Sequence, residues 1–240
     1  IAIAVFLGIV STSHVAYPGA HYPDVCLVAG ETGSVLCAGL VEHFNMWEQS
    51  DSPRWGAGMS YLQEAPGQNV ARDATELVAD FDGSTTKWLW ANAGASGNSF
   101  SIALRVKVKT LGSAGVKKAI LSWDNTNFRG PSLYWWNDAG VGKICYNVYE
   151  AETTTTAKAV CQNATAGTQY FVAFGSSQFH DGKANIFISL NNAARTTTAV
   201  TYWQHGGPSY LRVGGRAWTG PADASDQALV AFSGRVAPGA

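Results

Sequence analysis

The chain has 240 residues, of which only 14% are charged, and its formal net charge is −1. That length suffices for one large domain with its own core. A near-neutral chain lacks the field that draws a protein to DNA or an anionic membrane, and aromatics without basic neighbours lack the phosphate-tracking half of an RNA site. Gly, Ser, Thr, Asn and aromatics fill the place of charge, a mixture that suits short strands and their turns.

Residues 1–10, IAIAVFLGIV, are nearly all apolar. Such a run is too short for a membrane-spanning helix, which needs about 20 residues. It resembles the apolar core of a secretory signal, but no basic residue precedes it. It reads as a β-strand, and Ile1, Ile3, Val5 and Leu7 are the residues expected to make assembly contacts. Pro18, Gly19 and Pro23 break the following loop, whose His14 and His21 read as ordinary loop histidines. In CLVAGETGSVLC the apolar residues mirror about Glu31-Thr32, so Cys26 faces Cys37. In CYNVYEAETTTTAKAVC, Cys145 faces Cys161 across a turn centred on Thr153. Four buried free thiols are the alternative. The symmetric placement favours two disulfides, and disulfides place a chain in an extracellular, periplasmic or virion-surface setting. No CxxC or HxxxH spacing supports zinc.

Leu40, Val41, Phe44 and Trp47 mark the next strand, and Met59 to Leu62 a short one. Pro66 to Asp73 reads as a polar connection. Leu77 to Phe81 is an apolar run ending in the turn signal Asp82-Gly83, after which Trp88, Leu89 and Trp90 resume it. The most regular segment follows. Phe100, Ile102, Leu104, Val106 and Val108 alternate with Ser101, Ala103, Arg105, Lys107 and Lys109. A period of two held that long predicts a strand with one dry and one wet face. Further strands are expected over Ala119–Trp123, Ser132–Trp136, Ile144–Tyr149, Lys158–Gln162, Tyr170–Phe174 and Ala184–Leu190. Asn137-Asp138-Ala139-Gly140 reads as a turn, Ala199–Trp203 and Tyr210–Val213 as closing strands, and Ala228–Phe232 as a last run.

Several of these stretches carry a resemblance. ADFDG, SFSIALRVK, GLVEHFNMWE at Gly39–Glu48, YLRVGGR at Tyr210–Arg216 and FSGRV at Phe232–Val236 resemble laminin G-like domains of the concanavalin A-like lectin/glucanase superfamily. The match runs from about residue 39 to the end. It implies an all-β, two-sheet antiparallel jelly-roll sandwich over 39–240, with 1–38 as an N-terminal extension holding the apolar strand and a cystine hairpin. In that family a further strand usually follows the segment matching FSGRV; only Ala237-Pro238-Gly239-Ala240 remain here, and Pro and Gly make a poor strand. The N-terminal strand is therefore expected to fill a gap, in its own chain or in a neighbouring copy.

Glucanases on this sandwich use E-x-D-x-x-E on one strand, and that spacing is absent. So are G-x-S-x-G and a Gly-rich phosphate loop, which leads to the expectation of a non-enzyme. Sugars have apolar faces edged by hydroxyls, so a sugar site needs aromatic rings beside fixed polar groups. The richest such cluster is Trp123, Asp124, Asn125, Asn127 and Arg129 with Trp136, Asn137 and Asp138; Tyr202, Trp203 and His205 form a second. Alternation places Leu133 and Trp135 on one face and Tyr134 and Trp136 on the other, one pair in the core. Core filling is the competing reading for each. No cofactor is expected; calcium is a candidate because many laminin G-like modules bind it, but Asp124, Asp138 and Asp181 are scattered and no metal is assigned. Asn163-Ala164-Thr165 matches a glycosylation acceptor.

Two functions remain. The first is a non-enzymatic structural or surface-displayed subunit of a virion exterior or extracellular assembly, touching neighbouring copies and able to bind glycans. The second is a freestanding secreted lectin-like module. Neither involves nucleic acid or a membrane span.

Overall fold

The computed structural model describes residues 63–64, 70–73, 78–84, 89–91, 100–123, 130–149, 157–176, 184–201, 211–215 and 230–238. The expected strand at 1–10, the Cys26–Cys37 pairing, the boundary at residue 39, the loop at 124–129, Asp181 and the cluster at 202–205 lie outside them.

In chain order the strands are β1 (Gln63–Glu64), β2 (Ala71–Asp73), β3 (Val78–Asp82), β4 (Leu89–Ala91) and β5 (Phe100–Val108). Next come β6 (Lys117–Ser122), β7 (Ser132–Asp138), β8 (Val141–Tyr149), β9 (Ala157–Asn163) and β10 (Gln169–Ser176). The others are β11 (Ala184–Leu190), β12 (Thr196–Val200), β13 (Leu211–Val213), β14 (Val230–Ala231) and β15 (Ser233–Pro238). The first sheet runs β1-β4-β13-β6-β7-β8-β9, with β14 added parallel to β6. The second runs β12-β11-β10-β5-β15-β3-β2. Apart from β14, the described pairings are antiparallel, and the chain is an all-β two-sheet jelly-roll sandwich. Among the described residues no helix is long and apolar enough to cross a membrane.

Both inner faces follow from alternation. Leu104, Val106 and Val108 of β5 are buried, while Lys107 between them is exposed and Arg105 half-buried. Opposite them, Leu133 and Trp135 of β7 and Ile144 and Tyr146 of β8 enter the same core. The Tyr146 and Phe174 rings meet across the sandwich at 4.9 Å between centroids. Cys145 and Cys161 are directly paired in the β8–β9 register and form the expected disulfide, with Cα atoms 4.1 Å apart.

The structure corrects the readings of Ala71–Asp73 and of Ala237-Pro238 and adds the sheet membership of the elements between them. Ala71–Asp73, inside the stretch read as a connection, is the edge strand β2 of the second sheet. The turn expected at Asp82-Gly83 is present, and it leaves β3 in the second sheet for β4 in the first. The Asp82 carboxylate accepts the Ser84 N–H at 2.8 Å, a local turn that starts the crossing. Likewise β12 and β13 close different sheets, because Val200 and Val213 reach one core from opposite sides. Finally, Ala237 and Pro238 continue β15, which sits inside the second sheet between β5 and β3. Ala237 is buried there, so burial overrides the poor propensity of this end.

Candidate functional site

The structure brings one half of the expected aromatic–polar cluster together on the outward face of the first sheet. Four antiparallel strands align Lys117, Trp136, Lys143 and Asn163 in a single cross-strand row. Trp136 is half-buried, and Asn163 is exposed. The Lys117 ammonium lies 5.4 Å from the centroid of the Trp136 ring and equally far from that of Tyr134. From the other flank, the Lys143 ammonium lies 5.3 Å from the Trp136 centroid. Each is within reach of the negative face of an aromatic ring. Lys143 also pairs with Asp138 at 2.5 Å.

A stiff frame holds this row. Trp135, next to Trp136, points inward, and its indole N–H donates to the Leu111 carbonyl at 3.0 Å. Gly142 is packed against the Trp135 ring so closely that any Cβ would collide with it. Asn137 is 3% exposed and does not face solvent. Its amide donates to the Gly112 carbonyl at 2.7 Å, and its side-chain oxygen accepts the Gly140 N–H at 2.8 Å. Asn137 thus ties the loop before β6 to the tight turn at Ala139 and Gly140, whose φ angles are 50° and 97°. Two successive positive φ values match the twist of the flanking strands.

The remaining expected residues separate. Trp123 is 5% exposed and belongs to the core. A bulge between Ala119 and Leu121 explains this, since it shifts the parity of β6 and turns Leu121, and Trp123 two residues on, inward. Asp124, Asn125, Asn127 and Arg129 lie outside the described residues. Asn137 is a structural tie and Asp138 the partner of Lys143, so of the eight residues expected to bind a ligand, Trp136 is the one whose ring is placed on the outward face. No group of three metal-binding side chains occurs among the described residues. Lys117 and Lys143 were missed by sequence reasoning. The signal was present for Lys143: a two-residue turn at 139–140 puts it directly opposite Trp136.

No protein-family model matches the chain, and no curated protein matches it in sequence. Among solved structures, it is similar to the botulinum neurotoxin type G receptor binding domain, with a TM-score of 0.44 and 11% identity over 67% of this chain and 37% of that one. A heptameric SAP-like pentraxin from Limulus polyphemus gives a TM-score of 0.43 and 12% identity over 67% of this chain and 72% of that one. The LG1-3 region of the laminin alpha2 chain gives 0.39 and 14%, over 66% of this chain and 30% of that one. At such scores none of these likenesses assigns a family or an activity, and the fold rests on the chain's own two sheets.

Proposed function

We propose that the chain is a non-enzymatic structural subunit displayed on a virion exterior or in another extracellular assembly, with a sugar-binding face centred on Trp136. The observation that carries this reading is the half-buried Trp136 ring, flanked by two ammonium groups and mounted on a rigid four-stranded face. A ring so placed offers an apolar surface for the C–H face of a sugar, and Lys117, Lys143 and Asn163 offer donors to its hydroxyls. The Cys145–Cys161 disulfide supports an oxidising setting. The missing glucanase spacing supports the non-enzymatic part.

A glycan array on the purified chain tests the binding, with Trp136→Ala beside it. The variant should lose at least most of the signal while its melting temperature falls little, since a cation–π contact at a partly exposed site contributes only about 0.5–1 kcal/mol. An array with no glycan above background would remove the sugar-binding part. Sedimentation of the native protein addresses the assembly part: a strict monomer at high concentration favours the freestanding lectin-like module instead.

A further inference from the structure

We propose that Asn163 carries an N-linked glycan and that this glycan shields the Trp136 face. Asn163-Ala164-Thr165 has the acceptor pattern, an asparagine and a threonine two apart with no proline between them. The fold leaves both ends of that pattern open: Asn163 and Thr165 are exposed, while Ala164 between them is buried. The Asn163 side-chain amide makes no hydrogen bond with any described residue. Asn163 ends β9, the edge strand of the first sheet, directly opposite Lys143 and so on the same outward face as Trp136. A sugar attached there displaces no core contact.

The backbone around the acceptor sets the moment of attachment. The Ala164 N–H donates to the Gly142 carbonyl at 2.8 Å, the Thr165 N–H to the Tyr170 hydroxyl at 2.8 Å, and the Thr168 N–H to the Thr165 carbonyl at 3.3 Å. A tripeptide tied in this way does not bend into a transferase. Attachment therefore precedes the pairing of β8 with β9 and the closing of the nearby Cys145–Cys161 bond. In the transfer, Asn163 Nδ2 forms a bond to the anomeric carbon of a polyprenyl-diphosphate-linked oligosaccharide. The bond from that carbon to the diphosphate oxygen breaks, polyprenyl diphosphate leaves with the electron pair, and the amide gives up one proton. Nothing is oxidised or reduced. Donor and transferase belong to a eukaryotic secretory pathway, so the inference rests on the extracellular setting proposed above.

Neighbouring strands lie about 4.8 Å apart, which puts Asn163 roughly 10 Å from Trp136 with Lys143 between them. The first sugars of a glycan rooted at Asn163 lie over Lys143 and reach the exposed part of the Trp136 ring. Their effective concentration at the ring is set by the linkage and not by the solution, so they outcompete a free sugar. The attached glycan thus regulates the same face that is proposed to bind sugar.

Peptide mapping of the native protein is the first readout. The peptide holding Asn163 should carry a glycan, which peptide N-glycosidase releases with conversion of the asparagine to aspartate. A bare Asn163 overturns the assignment. If Cys145 and Cys161 are then also free thiols, the failure lies in the extracellular setting; if they are still bonded, it lies in the acceptor alone. Shielding is tested on the full chain secreted from a eukaryotic cell line, beside Thr165→Ala. That variant removes the acceptor pattern and keeps both the Asn163 side chain and the backbone bonds of residue 165. The unsubstituted chain should migrate more slowly than Thr165→Ala and show weaker acrylamide quenching of its tryptophans. Adding Trp136→Phe to both should abolish the difference in quenching. Equal migration, equal quenching, or a difference that survives Trp136→Phe would each overturn the proposal. On a glycan array Thr165→Ala should give the stronger signal. If neither chain gives a signal while the quenching difference stands, the sugar-binding reading fails and the shielded, glycosylated face remains.

Discussion

Around Phe81 the two sheets meet through rings and a glycine; around Gln162 they meet through hydrogen bonds next to a disulfide. At the first region Phe81 and Phe232 are fully buried with centroids 6.2 Å apart. Gly214, at φ +84°, lies against the Phe81 ring with no room for a Cβ, and its N–H donates to the Ile120 carbonyl at 2.9 Å. At the second region β9 is the edge strand of the first sheet, and Gln162 reaches across to the second. Its amide donates to the Ala194 carbonyl at 2.9 Å and to the Thr196 hydroxyl at 3.0 Å, with the Ile188 carbonyl at 3.3 Å. Its oxygen accepts the Leu190 N–H at 2.9 Å. The contrast shows two ways in which the sheets of one sandwich meet, between buried rings and between an edge strand and the strand facing it. Apolar burial serves in the first place; directional hydrogen bonds serve in the second, where the Cys145–Cys161 disulfide joins β8 to β9 within the first sheet.

The strongest way to break this comparison is at the ring side. Phe81→Ala should cost about 3–5 kcal/mol in a urea titration, as buried aromatic truncations do. Gly214→Ala should also destabilise, both through its left-handed backbone and through overlap with Phe81. Since the two changes share one contact, the double variant should cost less than the sum of the singles. Strict additivity would mean that Gly214 is needed for its backbone alone.

On the linked side, the disulfide contributes more than the hydrogen bonds. Replacing Cys145 and Cys161 together by alanine opens a loop with a sequence separation of 16 residues. By the chain-entropy model the loss is about 3 kcal/mol. Thermal melts with and without reductant check this, and an unchanged midpoint would show that the β8–β9 edge does not depend on the bond.

The same contrast explains what the sequence made legible. The β5 alternation and the Cys145–Cys161 hairpin are local patterns, and both appear as expected. Sheet membership is not local. Nothing near Asp82 says that the chain changes sheets there, and nothing near Val200 says that β13 will cross to the other side. The site was legible in part. Alternation separated Trp135 from Trp136 without saying which was buried; the cross-sandwich packing decides it. Trp123 was misplaced because one extra residue in β6 reverses the face of everything after it, and a bulge leaves no mark in an apolar run such as AILSW. Gln162 was overlooked because a polar residue on a strand reads as solvent-facing by default.

The smallest expected effect is the most specific to the comparison. Gln162→Leu keeps most of the bulk of the side chain and removes all its hydrogen bonds. The cost is not the sum of those bonds, because most of the groups it leaves behind regain water. Ala194 and Thr196 are exposed, so their oxygens are rehydrated. The Leu190 N–H is less open and is left without its partner. One such group costs about 1–3 kcal/mol, and here the lower end applies because the site is only partly buried. The loss should be confined to the linked edge. Strand β12 pairs only with β11 among the described residues, so its backbone depends on the turn that Gln162 holds. Native-state hydrogen exchange should therefore speed up at Thr196–Val200 and at Leu190, while amides of β3 and β15 around Phe81 keep their protection. Equal acceleration at both regions would mean that the sandwich opens as one unit, and the division between a packed side and a linked side would have to be given up.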